Sequence, residues 1–172
     1  GENYAQELAA KAQQVPIEIR PTVHYIGQLQ SNNVKIISEI VDVWQSVDRI
    51  SIIDEILRRT PGKAPRMHVQ VNTTNEVGKG GCEPETVEAV VAHAVRSGAV
   101  VEGLMTVGPT DGDMAKTRVA FRLLRSIAHD LGLRGLSMGM TNDLEIAVEE
   151  GSTLVRVGSA IFGNRSALQE PL

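Results

Sequence analysis

The feature that most constrains this chain is an alternation. Five times, a short run rich in Val and Ile is followed by a segment with apolar residues at helical spacing, and a last short run closes the series. The runs are residues 23–26, 43–47, 67–72, 100–107, 136–140 and 154–157. They carry apolar residues on both faces, as strands buried on both sides do. Such alternation specifies a parallel α/β sheet with right-handed crossovers. By spacing and length alone, six strands in 172 residues favour an open, doubly wound parallel sheet. A closed (β/α)8 barrel usually needs at least about 200 residues.

The helical segments are legible in the same way. Residues 2–13 place Tyr4, Leu8 and Ala12 on one face, and a second helix starting near Ser31 would bury Val34, Ile37, Ile40 and Val41. Asp48 can start a third, with Ile52, Ile53, Ile56 and Leu57 inward. Pro84 suits the first position of a fourth, which would bury Val87, Val90, Val91, Ala94 and Val95. The longest runs to about Leu131 around Phe121, Leu124 and Ala128. Asn142 followed by Glu145 is a helix-start signature for the last. The chain opens on a helix, so the first strand–helix unit lacks its strand. It also begins on Gly1 rather than Met, which points to a processed or trimmed piece.

The totals remove several classes of function. A net charge of −4 and 3% aromatic residues argue against nucleic acid, which needs basic surface and stacking platforms. No apolar run reaches the length of a membrane span, and no secretory signal is visible. The single cysteine, Cys82, allows no internal disulfide, and the four histidines have no zinc spacing. The expectation is one domain spanning residues 1–172, cytoplasmic, without a metal.

The informative stretch is residues 134–165. Its two apolar runs end on small polar residues: Gly139, Thr141 and Asn142 after the first, Gly158 and Ser159 after the second. Small residues let backbone N–H groups approach an anion, and in α/β folds ligands sit at the loops that follow the strands. Ser137, Thr141, Gly158 and Ser159 are therefore candidates for a phosphate cup, with short packing turns as the alternative. No P-loop or G-x-G-x-x-G pattern decides between them.

Six segments, in order, carry a resemblance: GENYAQEL (1–8), HYIGQLQSNNVK (24–35), VQVNTTNEVGKGG (69–81), EGLMTVGP (102–109), LSMGMTND (136–143) and GSTLVRVGSAIFGNR (151–165). Together the chain resembles the pyridoxal phosphate homeostasis proteins from Gly1 to Arg165. The resemblance implies a (β/α)8 TIM-like barrel of the alanine racemase N-terminal type, which displaces the open sheet. The six strands become barrel strands three to eight, with residues 1–4 at the end of strand two and the start of its helix. It implies pyridoxal 5′-phosphate as cofactor, bound through a Schiff base to a lysine on the first strand, and a carrier or buffer role without catalysis. That strand, and with it the lysine, would lie before Gly1 and has no counterpart in this sequence. A piece of a longer chain, a deliberate truncation and a natural short form are the three readings. The exposed edges of a barrel without two staves favour the first two.

The resemblance also assigns roles. Ser137, Thr141, Gly158 and Ser159 become the phosphate cup. Arg156 faces the pyridine nitrogen, with an ion pair to Glu102 or Asp143 as the structural alternative. Asn3 touches the ring or its hydroxyl, or else caps a helix. Lys79 guides the phosphate, or forms a secondary adduct, or is a solvated loop residue. His24 and His68 are core histidines, His93 and His129 lie on helix surfaces, and Met105, Met138 and Met140 pack the barrel. Asn33 replaces a common lysine, expected to be a surface change. Partners would be pyridoxal phosphate and the apo-enzymes that receive it, with the protein a monomer. The alternatives are a racemase- or decarboxylase-like enzyme, or a truncated form that no longer binds the cofactor.

Overall fold

The computed structural model describes residues 1–163. Strands β1 (His24–Tyr25), β2 (Val43–Val47), β3 (Arg66–Gln70), β4 (Val100–Met105) and β5 (Gly135–Ser137) form one sheet. It is entirely parallel, in the order β1-β2-β3-β4-β5. Each strand therefore lies beside the next in sequence. Crossovers of one hand then put every helix on the same face, and the sheet curls around the other face as a half-barrel. A doubly wound sheet would reverse its strand order at a switch point. No reversal occurs, so the open-sheet expectation from length alone is overturned.

The helices are α1 (Ala5–Ala12), α2 (Ser31–Ile37), α3 (Ile50–Arg59), α4 (Val87–Arg96), α5 (Met114–Asp130), α6 (Leu144–Glu149) and α7 (Ser159–Phe162). Sequential neighbours pack side by side, α1 on α2, α2 on α3, α3 on α4 and α5 on α6. Between them and the sheet lies the apolar core, with Tyr25, Trp44, Met67, Val69, Leu104 and Leu136 from the strands. Ile37, Ile53, Ile56, Val87, Phe121 and Leu124 meet them from the helices. Tyr25 and Trp44 meet edge to face, ring centroids 6.4 Å apart, a favourable aromatic geometry.

Side chains alternate across a strand, so the neighbours of these core residues point into the half-barrel. There stand His24, Gln45, His68 and Ser137. Two glycines let β4 and β5 meet beneath them. A Cβ on Gly103 would lie 2.0 Å from the Gly135 carbonyl oxygen, and one on Gly135 would lie 2.5 Å from that of Glu102.

Several expectations need correction. The sixth strand is reduced to a single parallel bridge, Ser137 to Leu154, continued by the Arg156 N–H on the Gly139 carbonyl at 2.9 Å. The turn at Gly139, at φ +97°, breaks the regular ladder there. At the other edge, Glu2 leaves the first helix to bridge Tyr25. Helix α1 therefore starts at Ala5 and buries Ala5 and Leu8, while Tyr4 stays half exposed. Helix α2 stops at Ile37, so Ile40 and Val41 pack from the turn beyond it. Val95 lies on the exposed side of α4, and Pro84 leads a short 3-10 turn before that helix. Helix α6 starts at Leu144 without a side-chain cap, so the Asn142–Glu145 box does not form. Asp113 does cap α5, accepting from the N–H groups of Ala115 and Lys116.

Candidate cofactor site

The inner face of the half-barrel is joined by one hydrogen-bonded chain. Gln45 Nε2 lies 2.6 Å from His24 Nδ1. Ser137 Oγ donates to Gln45 Oε1 at 2.6 Å. Arg156 donates one N–H to Ser137 Oγ at 2.8 Å and another to the Thr106 carbonyl at 2.7 Å. Thr106 is itself held by its hydroxyl on the Val71 carbonyl and by Thr73. The chain crosses from β1 through β2 and β5 to the segment after Leu154, and it fixes a guanidinium at the mouth of the lumen. Burial pushes the Arg156 pKa down to about 10, against a counter-pull from Asp143, so the group stays cationic at neutral pH.

Arg156 and Gly158 line two cavities. One, of 720 Å³, is walled on one side by Gly1, Glu2 and Asn3 and on the other by residues 154–158, with His24 and Gln45 also in its lining. The second, of 940 Å³, is lined by Thr141, Asn142, Ser159, Met140 and Lys79 and by the loop after β4. At their junction a Cβ on Gly158 would meet nothing within 4 Å. Ser159 Oγ donates to Thr141 Oγ1 at 3.1 Å, which ties the loop after β5 to the start of α7. Two hydroxyls, an open glycine and a nearby cation are the donor set an organic phosphate requires.

The loops above the site are tied together by Glu76. Its carboxylate accepts from Lys79 Nζ at 2.5 Å, from the Thr110 N–H at 3.0 Å and from the hydroxyls of Thr74 and Thr110. The hydrogen bond from Lys79, with the Thr110 N–H next, pulls the Glu76 pKa down to about 2. Lys79 also donates to the Gly108 carbonyl. The loop after β3 is thereby fastened to the loop after β4.

The predicted residues divide accordingly. Thr141, Arg156, Gly158, Ser159 and Lys79 line one cavity, and Asn3 lines the other with Arg156 and Gly158. Ser137 stands apart, fully buried, with its hydroxyl engaged by Gln45 and Arg156. Asn3 is not a helix cap, since that position is Tyr4. Lys79 is not a solvated loop residue, because its amine is clamped by Glu76 and Gly108. Among the described residues Arg156 makes no ion pair, and Glu102 is taken by Arg66 at 2.6 Å. His24 is a hydrogen-bonded histidine, its pKa lowered chiefly by burial. Burial likewise lowers His68 to about 4, and its Nδ1 has no partner among the described residues. His93 pairs with Asp54 and His129 is exposed. Met105 and Met138 are buried, but Met140 is partly exposed and lines the second cavity. Asn33 is partly exposed and donates to the Gln28 carbonyl at 3.3 Å. Residues 164 and 165 of the last motif lie outside the described residues.

Sequence reasoning missed Gln45, Thr106 and Glu76. A signal for Gln45 existed: it is an amide inside an otherwise Val- and Trp-rich strand, on the face opposite Trp44. Thr106 and Glu76 sit in loops, where spacing gives no such cue. Among the described residues no cluster of His, Cys, Asp or Glu could hold a metal ion, and no helix is long and apolar enough to cross a membrane.

A half-barrel of sequential parallel strands with small polar loops at their C-terminal ends is the architecture of a class, the alanine racemase N-terminal domain. The model of that family matches residues 2–166. Within the class, the pyridoxal phosphate homeostasis protein of Pseudomonas aeruginosa is 39% identical over 171 residues, covering 96% of this chain and 74% of its own. The human protein of the same name is 35% identical, covering 99% and 70%. The chain belongs to this family of pyridoxal phosphate homeostasis proteins. PipY of Synechococcus elongatus, solved with pyridoxal phosphate bound, superposes with a TM-score of 0.84 at 30% identity, covering 95% of this chain and 80% of PipY.

Proposed function

We propose that this chain binds pyridoxal 5′-phosphate in the half-barrel and serves as a carrier or buffer of the cofactor, not as a catalyst of amino acid chemistry. The observation that carries the reading is Arg156, a guanidinium held by Ser137 and Thr106 at the junction of the two cavities. Thr141, Gly158 and Ser159 would take the phosphate, Asn3 and Arg156 would flank the ring, and Lys79 would hold the loops around it. When bound, pyridoxal phosphate supplies an aldehyde that condenses with amines and a ring that withdraws electrons. Arg156 holds five donors and no acceptor, so it offers the ring nitrogen no carboxylate to keep it protonated. That limits the ring as an electron sink and suits storage. His68 is buried and away from both cavities, which keeps its imidazole out of proton transfer.

The names and bound ligand of the relatives support the same reading. We place the protein in the cytoplasm as a monomeric single domain that exchanges its cofactor with apo-enzymes. The test is incubation with pyridoxal phosphate, borohydride reduction and intact mass, beside incubation with single amino acid enantiomers. Saturable one-to-one uptake of the cofactor without amino acid turnover supports the carrier, and the mass shows whether a lysine of the chain, Lys79 first, forms the imine. Racemisation or decarboxylation would replace it with an enzyme, and saturation-free labelling would remove specific binding.

A further inference from the structure

The inner face contains a group whose role is not explained by packing. Gln45 is 1% exposed, and both ends of its amide are committed across strands. A methionine would fill the same space without burying polar atoms. Buried amides of this kind cost free energy unless fully paired.

The direction of the chain is determined by Ser137, which is wholly buried. Its oxygen already accepts an N–H of Arg156 at 2.8 Å. If the amide of Gln45 were reversed, its nitrogen would also point a proton at Ser137, and the serine hydroxyl would have no acceptor. With Oε1 toward Ser137, the hydroxyl donates to Gln45, and the serine lone pairs are left for Arg156. Nε2 then donates to Nδ1 of His24, which places that imidazole's proton on Nε2. The amide therefore transmits one hydrogen-bond polarity from β1 to Arg156. Through Ser137 it fixes the torsion at which the guanidinium faces the cavities.

We propose that Gln45 is a positioning residue for Arg156, orienting it toward the ring of the bound cofactor. The inference rests on the pyridoxal phosphate reading above. It predicts that Gln45→Met loosens the guanidinium while leaving the fold intact, because alternation along β2 turns the side chain to the lumen, away from the helix-facing core that holds Trp44.

The experiment is equilibrium titration with pyridoxal 5′-phosphate and with pyridoxine 5′-phosphate, which has no aldehyde and reports the pocket alone. Gln45→Met should weaken both by about tenfold and shift the circular dichroism band of the bound ring, with the melting temperature near wild type. Wild-type affinity and an unchanged band in Gln45→Met would overturn the proposal. So would a loss of affinity matched by a loss of fold with no band shift. If the wild type binds neither probe, the pyridoxal phosphate reading fails instead. The relay is then decided on the free protein, where Gln45→Met must speed the rotation of the Arg156 guanidinium seen by NMR, and an unchanged rate refutes it.

Discussion

The two faces of the sheet are built from alternate residues of the same strands and have opposite characters. Toward the helices stand Tyr25, Trp44, Met67, Val69, Leu104 and Leu136, apolar and buried in one cluster. Toward the lumen stand His24, Gln45, His68 and Ser137, hydrogen-bonded or buried as lone polar groups. Stability and ligand recognition are thus separated by one step along each strand. The larger losses of fold at neutral pH should come from the helix face, and losses of affinity from the lumen face, whose buried His68 ties stability to pH.

The strongest way to break this comparison is on the helix side. Trp44→Ala removes a large, fully buried ring and its contact with Tyr25. It should cost about 3–5 kcal/mol of stability, read as a lower urea midpoint. If the variant remains as stable as wild type and loses ligand affinity instead, the division between faces is wrong.

On the lumen side the sharpest effect is one of pH. His68 has its pKa lowered from 6.5 to about 4 by burial, so between those values the unfolded chain binds more protons than the folded one. Stability therefore falls as pH drops from 6.5 toward 4 and levels off below, a total of up to about 3 kcal/mol. His68→Gln should flatten that limb in urea titrations at stepped pH. An equally steep limb in the variant would assign the slope to other groups.

A smaller effect is expected at the loops. Glu76 has its pKa lowered to about 2 by Lys79 and the Thr110 N–H. For a lowered carboxylate the contribution is present above the unfolded value, 4.5, and is lost as pH falls through 2. Glu76→Gln should therefore be less stable than wild type at neutral pH, by a margin that closes between pH 4.5 and 2. It should also raise hydrogen exchange in residues 73–81 and 108–113, which the carboxylate joins. A pH-independent difference would mean that charge is not what holds the loops.

How much of this was legible in the sequence follows the same division. The helix-facing core could be read because burial repeats at fixed periods, so Ile52, Ile53, Ile56, Phe121 and Leu124 fell where spacing placed them. The curl of the sheet into a half-barrel could not be read from length, since strand order depends on which neighbour each strand finds. The loops of the proposed phosphate cup were visible as small residues after strands. The hydrogen bond of Ser137 to Gln45 was not visible, because the two are 92 residues apart in sequence. The solvated alternative for Lys79 could not be set aside from the sequence for the same reason: its second partner, the Gly108 carbonyl, is 29 residues distant. Local patterns report which face a residue takes; only the folded chain reports which polar groups meet there.

The central claim is that the lumen face, through Arg156, receives pyridoxal phosphate. The most direct measurement is titration of pyridoxine 5′-phosphate into the wild type and into Arg156→Met, with urea unfolding of both proteins alongside. The account predicts saturable one-to-one binding to the wild type and a loss of at least about tenfold in the variant, with both proteins folded. Equal affinity in the two, or no saturable binding by the wild type, would contradict it.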